Sequence, residues 1–261
     1  MKTRLIHDQV AQRYDRARPG YPAALFDDII AYAGLAAAAR ILEVGCGTGQ
    51  ATLPLARRGL AIDCIEPGAQ MAAIARANLV GFPAVTLSCT DFERFRAPPA
   101  RYDLLLSATA FHWIDPEVRF RKAHDLLKPG GTLALFWHRP VQTEASRDFA
   151  AAVQPIYRRF APELTEGCEA PPAPDRVTTE YEKLIPASGC FTDLEIRKHY
   201  RATDYSAGEY VDLLATFSDH QKLESTRRQR LLSAIEALIA ADFAGAAVRE
   251  TVALLYLARR K

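Results

Sequence analysis

The chain has 261 residues, enough to bury a core of ordinary size as one large domain with insertions. Its 33 Lys and Arg against 31 Asp and Glu leave a net charge of +2, and with the basic residues spread along the chain this supplies no strong field for nucleic acid. A composition 49% hydrophobic and 25% charged excludes long disorder and a fibrous fold.

The stretch Tyr14–Pro22 (YDRARPGYP) reads as irregular and proline-punctuated, and FDDIIAYAGL follows with helical spacing. Residues 1–35 are thus expected to form an N-terminal cap across a sheet edge. From Arg40 onward, aliphatic runs alternate with helical segments: ILEV, a helix over Gln50–Arg58, AIDCI, a helix over Gly68–Asn78, then AVTLS. YDLLLSA follows as a fourth strand, then a helix from about Asp115 to Leu127, a turn at Lys128-Pro129-Gly130-Gly131, and TLALFW as a fifth strand. Such alternation predicts βαβ units and a parallel sheet, and runs this continuously apolar predict strands covered on both faces.

After the core over 36–140, residues 141–190 read as an insertion, with APPAPDR at 170–176 as a surface loop. A strand is expected over 191–205. Two helices over 206–245, in SAGEYVDLLATFSDH and LESTRRQRLLSAIEALIAADF, form a lid, and 246–261 close the sheet as a last strand. The run Arg227 to Arg230 (RRQR) reads as a solvated helix face.

Five cysteines (Cys46, Cys64, Cys89, Cys168 and Cys190) are an odd number with no CxxC pair, which argues against a disulfide framework and against a structural zinc site. Reduced thiols predict a cytoplasmic protein. The N-terminal MKTRLIHDQV lacks the apolar stretch of a signal peptide, and no run is long and apolar enough to span a bilayer, so neither nucleic acid nor membrane is an expected partner.

ILEV leads into Gly45-Cys46-Gly47-Thr48-Gly49 and then a helix, the strand, glycine loop and helix order used to bind nucleotide-like ligands. A Cβ in such a loop blocks the tight turn and keeps the backbone from the ligand, and backbone amides are expected to line the pocket. AIDCIE ends in Glu66, 21 residues beyond Gly45, where a carboxylate can accept hydrogen bonds from both ribose hydroxyls. A nicotinamide dinucleotide is disfavoured, because its fingerprint places the third glycine five residues after the first, whereas the spacing here is GxGxG.

ILEVGCGTGQ, IEPGAQMAAIAR, TDFERF, YDLLLSATAFHW and LLKPGGTLALFW together resemble class I S-adenosylmethionine-dependent methyltransferases, in order over roughly residues 4–140. Within that superfamily the chain is most similar to the small-molecule group of trans-aconitate methyltransferase-like proteins. The resemblance implies a Rossmann-like α/β fold: a mixed, mostly parallel seven-stranded sheet, helices on both faces and a helical insertion near the C-terminus. It implies S-adenosylmethionine as cofactor, with Gly45, Cys46 and Gly47 on its methionine part, Glu66 on the ribose, Pro67 packed nearby, and Asp91 with Phe92 around the adenine. A carboxylate can accept the exocyclic amino hydrogens, and an aromatic face can cover a purine. The same resemblance suggests Arg18 for the cofactor's carboxylate and Tyr14 closing over it.

The fourth strand runs out through Ser107 into Ala110-Phe111-His112-Trp113, beside the cofactor's reactive methyl if the sheet is doubly wound. Methyl transfer can proceed largely by alignment and desolvation, so a base is optional. His112 suits either a base or a hydrogen-bond donor to the substrate, and Trp113 an apolar wall. His138, at the end of the fifth strand, and His220, in the helical region, are further candidates for the substrate site; no metal is expected. A carboxylic acid, a phenol, an amine or a carbon nucleophile all remain open as the small-molecule acceptor, with resemblance leaning toward a small acid. The alternatives are a nicotinamide-dependent oxidoreductase and a non-catalytic S-adenosylmethionine-binding protein. The Asn/Asp-Pro-Pro-aromatic signature of base methylation is absent after the fourth strand, where SATAFHW stands.

Overall fold

The computed structural model describes residues 5–165 and 171–261; Cys168 and Ala170 of the expected insertion, with the first four residues of the expected cap, lie outside the described residues. In chain order the elements are α1 (Ala11–Ala17), α2 (Ala23–Ala33), β1 (Arg40–Val44), α3 (Thr52–Ala56), β2 (Ala61–Ile65), α4 (Ala69–Asn78), β3 (Val85–Ser88), β4 (Tyr102–Ala108) and α5 (Pro116–Leu126). They continue with β5 (Leu127–Pro140), α6 (Glu144–Phe160), α7 (Tyr181–Ala187), β6 (Phe191–Ser206), α8 (Ala207–Leu214), α9 (Ser218–Lys222), α10 (Ser225–Asp242) and β7 (Ala246–Arg260). None of the described helices is long and apolar enough to cross a membrane.

The seven strands form one sheet in the order β3-β2-β1-β4-β5-β7-β6. Four pairings, β1 with β2, β1 with β4, β2 with β3 and β4 with β5, are parallel. β7 runs against both neighbours. Arg259 reaches Thr132 near one end of β5 while the Val141 amide donates to the Glu250 carbonyl beyond the other, and Lys261 pairs back to Cys190. The sheet is therefore mixed and mostly parallel, the Rossmann-like arrangement expected. Strand order reverses between β1 and β4, the topological switch point beside which open α/β sheets bind ligands.

By contacts the described chain divides into two compact units. One comprises 20–138, 178–199 and 253–261. Its core packs Leu25, Phe26 and Ile29 of α2, one helical face, with Ile41 of β1, Leu104 and Leu106 of β4, and Leu255 and Leu257 of β7. Ile41 to Val44 and Leu104 to Ser107 are buried without a break, as strands covered on both faces must be. The other unit comprises the described residues up to 19, 139–177 and 200–252. There Phe149 and Val153 of α6 pack with Leu213 and Leu214 of α8 and with Leu231, Ile235 and Ile239 of α10.

Several boundaries differ from those read from sequence. Tyr14 lies on the helix α1, where an irregular segment was expected, and α3 spans Thr52–Ala56 where the pattern suggested Gln50–Arg58. The early residues continue the glycine loop as a turn, with Gly49 donating to the Cys46 carbonyl. The Lys128–Gly131 turn is absorbed into β5: Tyr102 pairs with Leu127 and Leu104 with Thr132, so the intervening residues form an irregularity within the strand. SAGEYVDLLATFSDH is two helices, because Phe217 is extended (φ −76°, ψ 138°) between α8 and α9. The expected insertion contains the 17-residue helix α6, capped by Thr143 and tolerating Pro155.

Glu43 on β1 is completely buried, and burial, with the charge of Glu66 adding to it, pushes its carboxyl up to about 8. Between the ordinary value of 4.5 and that raised value the folded chain holds a proton that the unfolded chain has released. Stability therefore falls as pH rises through this window. Glu43→Gln keeps the shape without the ionisation. The wild-type Tm is expected to fall more steeply than the variant's between about pH 5 and pH 9, with the variant the more stable at the alkaline end. Parallel Tm profiles for the two proteins would contradict this.

Candidate functional site

The glycine loop leaves β1 at Gly45 with φ +72°, and a Cβ built there would lie 2.4 Å from the Ala110 side chain beyond β4. Only glycine meets both the left-handed backbone and this close approach. The Gly45 and Cys46 amides donate to the Ile65 carbonyl at 2.8 and 3.2 Å, which ties the loop to the end of β2. The Gly47 amide donates to Glu66 Oε2 at 2.9 Å, and the Gly68 amide to Oε1 at 2.8 Å. The amides of Gly45, Cys46 and Gly47 thus have hydrogen-bond partners within the protein. Glu66, 8% exposed, is oriented by two backbone amides, and a carboxylate is the acceptor type that a diol pairs with. Pro67 is half-buried beside it, and its carbonyl faces the Cys89 thiol at 4.0 Å.

Asp91 and Phe92 follow β3, both buried. Asp91 accepts from the Arg94 amide at 3.0 Å and from its Nε at 2.9 Å, which closes a tight turn. A residue not anticipated from sequence holds this segment. The Lys122 ammonium, on α5, donates to the carbonyls of Phe92, Glu93 and Phe95 at 2.6, 3.1 and 2.7 Å and lies 5.2 Å from the Phe92 ring centre. Three charge-assisted bonds from one ammonium fix the backbone that presents Asp91 and Phe92.

At the end of β4, Ser107 is fully buried and donates to the Val44 carbonyl at 2.8 Å, so its hydroxyl binds β4 to β1 at the mouth of the loop. Thr109 is held at φ +55°, a strained conformation for a β-branched residue that costs about 1–3 kcal/mol. Its amide donates to Phe136 and its hydroxyl shares a 2.8 Å hydrogen bond with Tyr21. Tyr21 stacks on His138 with ring centres 4.3 Å apart. His112 is exposed and accepts from Trp137 Nε1 at 3.2 Å through Nδ1, while Trp113, half-buried, packs on its ring at 4.7 Å. An indole N–H can only donate. It therefore fixes the neutral imidazole with its proton on Nε2, which makes His112 a hydrogen-bond donor at that atom.

Gly45, Cys46, Gly47, Glu66, Pro67, Asp91, Phe92, Ser107, His112, Trp113 and His138 all lie in the sheet unit containing 20–138. Tyr14, Arg18 and His220 lie in the other unit. There Arg18 sits 5.0 Å from the Tyr14 ring and 4.4 Å from the Phe217 ring, and donates to the Thr216 hydroxyl at 2.8 Å. His220 is buried and bonded to Tyr157 and Asp219. The four described cysteines are free thiols, and no cluster of three or more metal-binding side chains occurs among the described residues.

Residues 41–131, which carry the glycine loop, Glu66 and the β4 edge, match the family model described as Methyltransferase domain. An uncharacterised methyltransferase of Mycobacterium bovis is 34% identical over 125 residues, 48% of this chain and 49% of that protein. The chain spans about half the length of the curated relatives it matches. The fold is shared with a solved chain from Anaeromyxobacter dehalogenans described as a candidate type II methyltransferase, at 22% identity, TM-score 0.63, and coverage of 93% of this chain and 97% of that one. A phosphoethanolamine N-methyltransferase of Haemonchus contortus, solved with S-adenosylhomocysteine and phosphomonomethylethanolamine, aligns with TM-score 0.57 at 16% identity over 97% of this chain and 57% of that one. The segment around the glycine loop is thus of methyltransferase type, on a methyltransferase-like fold.

Lys122→Met removes the three carbonyl contacts and keeps the length of the side chain. Amide hydrogen exchange is expected to accelerate across residues 91–95 by about tenfold or more, with the β1 and β4 amides unchanged. Unchanged exchange across 91–95 would contradict the positioning role of Lys122.

Proposed function

We propose that the chain is a class I methyltransferase that binds S-adenosylmethionine at the glycine loop and methylates a small organic acid. The observation that carries the cofactor assignment is the pairing of Gly45, whose missing Cβ opens the loop against Ala110, with Glu66, whose carboxylate is oriented by the Gly47 and Gly68 amides. The spacing of the glycines and the methyltransferase match both favour this cofactor over a nicotinamide dinucleotide. Gly45, Cys46 and Gly47 would hold the methionine end, Glu66 the ribose with Pro67 beside it, and Asp91 and Phe92 the adenine, with Ser107 bracing the strand edge.

When bound, the cofactor supplies an electrophilic methyl group on a sulfonium. A carboxylate acceptor is already ionised near neutral pH, so no residue need remove a proton. That suits His112, whose Nε2–H, set by Trp137, can donate to a carboxylate oxygen and orient it. Trp113 and the stacked Tyr21 and His138 supply apolar surface that excludes water. Similarity to trans-aconitate methyltransferase-like proteins supports the acid class. The free thiols agree with a cytoplasmic enzyme, and the balanced charge supports neither nucleic acid nor membrane as a partner.

The purified protein, given S-adenosylmethionine and pools of acids, phenols and amines, is expected to release S-adenosylhomocysteine with the acid pool and yield a base-labile methyl ester by mass spectrometry. His112→Phe is expected to lower kcat/KM for the acid by about tenfold or more with cofactor affinity retained. Turnover confined to phenols or amines would overturn the acid assignment.

A further inference from the structure

The unit that contains α6, α8, α9 and the first part of β7 carries an open cavity of about 610 Å³, a size suited to a small-molecule ligand. Two arginines line it, Arg147 from α6 and Arg249 from β7. Arg249 lies with its guanidinium 5.0 Å from the ring of Phe217, another wall residue. Neither arginine forms an ion pair or side-chain hydrogen bond with any described residue. Two carboxylates of the same region have other partners. Asp219, also on the wall, takes the His220 Nδ1 contact at 2.8 Å. Glu250, next to Arg249 in sequence, accepts from the Thr143 amide and hydroxyl, from Ser146 and from Tyr200.

The remaining polar wall is built rather than incidental. His220 is 4% exposed, and Asp219 on Nδ1 sets its tautomer, so Nε2 accepts from the Tyr157 hydroxyl at 2.9 Å. Burial raises the Tyr157 phenol, which stays protonated and fixed in this chain. Leu214, Phe217 and Ala150 supply the apolar share of the lining. Two guanidiniums that form no ion pair with a described residue, set against an apolar floor, suit an organic carboxylate: Arg pairs with carboxylates through parallel N–H bonds, and the apolar body covers the floor.

We propose that this cavity is a binding site for a small organic carboxylate, held by Arg147 and Arg249 with its carbon body against Phe217 and Leu214. The binding of a carboxylate here does not rest on the methyltransferase reading above, and is measured without any methyl donor. Benzoate and glutarate are titrated against the full chain by calorimetry, with benzamide and glutaramide as uncharged counterparts. The carboxylates are expected to bind and the amides not, with affinity lost by about tenfold or more in Arg249→Gln and in Arg147→Gln and partly restored in Arg249→Lys. In parallel, the arginine Nε–Hε resonances assigned to residues 147 and 249 are expected to shift on addition of benzoate to the wild type, a readout independent of how the variants fold. Failure of both carboxylates to bind, equal binding of the amides, or unmoved arginine resonances would overturn the proposal. A chain that binds benzoate through these arginines but never S-adenosylmethionine would sink the methyltransferase reading alone.

Discussion

Everything at the candidate site depends on how closely β1 and β4 approach where they end. The sheet order turns outward in both directions from this pair, and Gly45 meets Ala110 where no Cβ on residue 45 has room. That contact brings the glycine loop and the Phe111-His112-Trp113 turn to one edge of the sheet. The loop is then bound to β2 through the Ile65 carbonyl, and Ser107 binds β4 to β1. Glu66 completes the arrangement, because the amide that orients one of its oxygens belongs to the loop itself. The loop geometry and the orientation of Glu66 thus share the same hydrogen bond.

Electrostatics divide the carboxylates by task. Glu43, sealed beneath the loop, has its carboxyl raised to about 8 by burial, so it contributes no full charge at neutral pH. Glu66, buried in the same region, is the carboxylate that two backbone amides orient. Holding Glu43 protonated avoids a second full charge beside Glu66. Hydrogen bonding sorts the histidines in a similar way: Trp137 makes His112 a donor at Nε2, and Asp219 makes His220 an acceptor at Nε2.

The features legible in the sequence are those set by neighbours in the chain. ILEVGCGTG declares its turn because glycine at positive φ is a local requirement, and Glu66 follows at the end of the next strand. The central strands β1, β4 and β5 were legible because strands covered on both faces carry continuous apolar runs. What sequence did not disclose depends on residues distant in the chain. Lys122 holds the Asp91 segment from about thirty residues away, and Tyr21 meets Thr109 across 88. Neither contact leaves a periodic trace. The break at Phe217 was hidden inside an apparently continuous helical pattern, and Lys128-Pro129-Gly130-Gly131, a strong turn signal, was overridden by strand pairing on either side. Arg147 and Tyr157 of α6 and Arg249 of β7 meet at one cavity from two elements far apart in the chain, which no local pattern could announce.

The central claim is that the glycine loop and Glu66 form an S-adenosylmethionine site. Calorimetric titration of the wild type and Glu66→Ala with S-adenosylmethionine, and in parallel with NADH, tests it most directly. The account predicts saturable binding of S-adenosylmethionine, weakened about tenfold or more by the substitution, and no binding of NADH. Folded wild-type protein that ignores S-adenosylmethionine, or that binds NADH in its place, would contradict it.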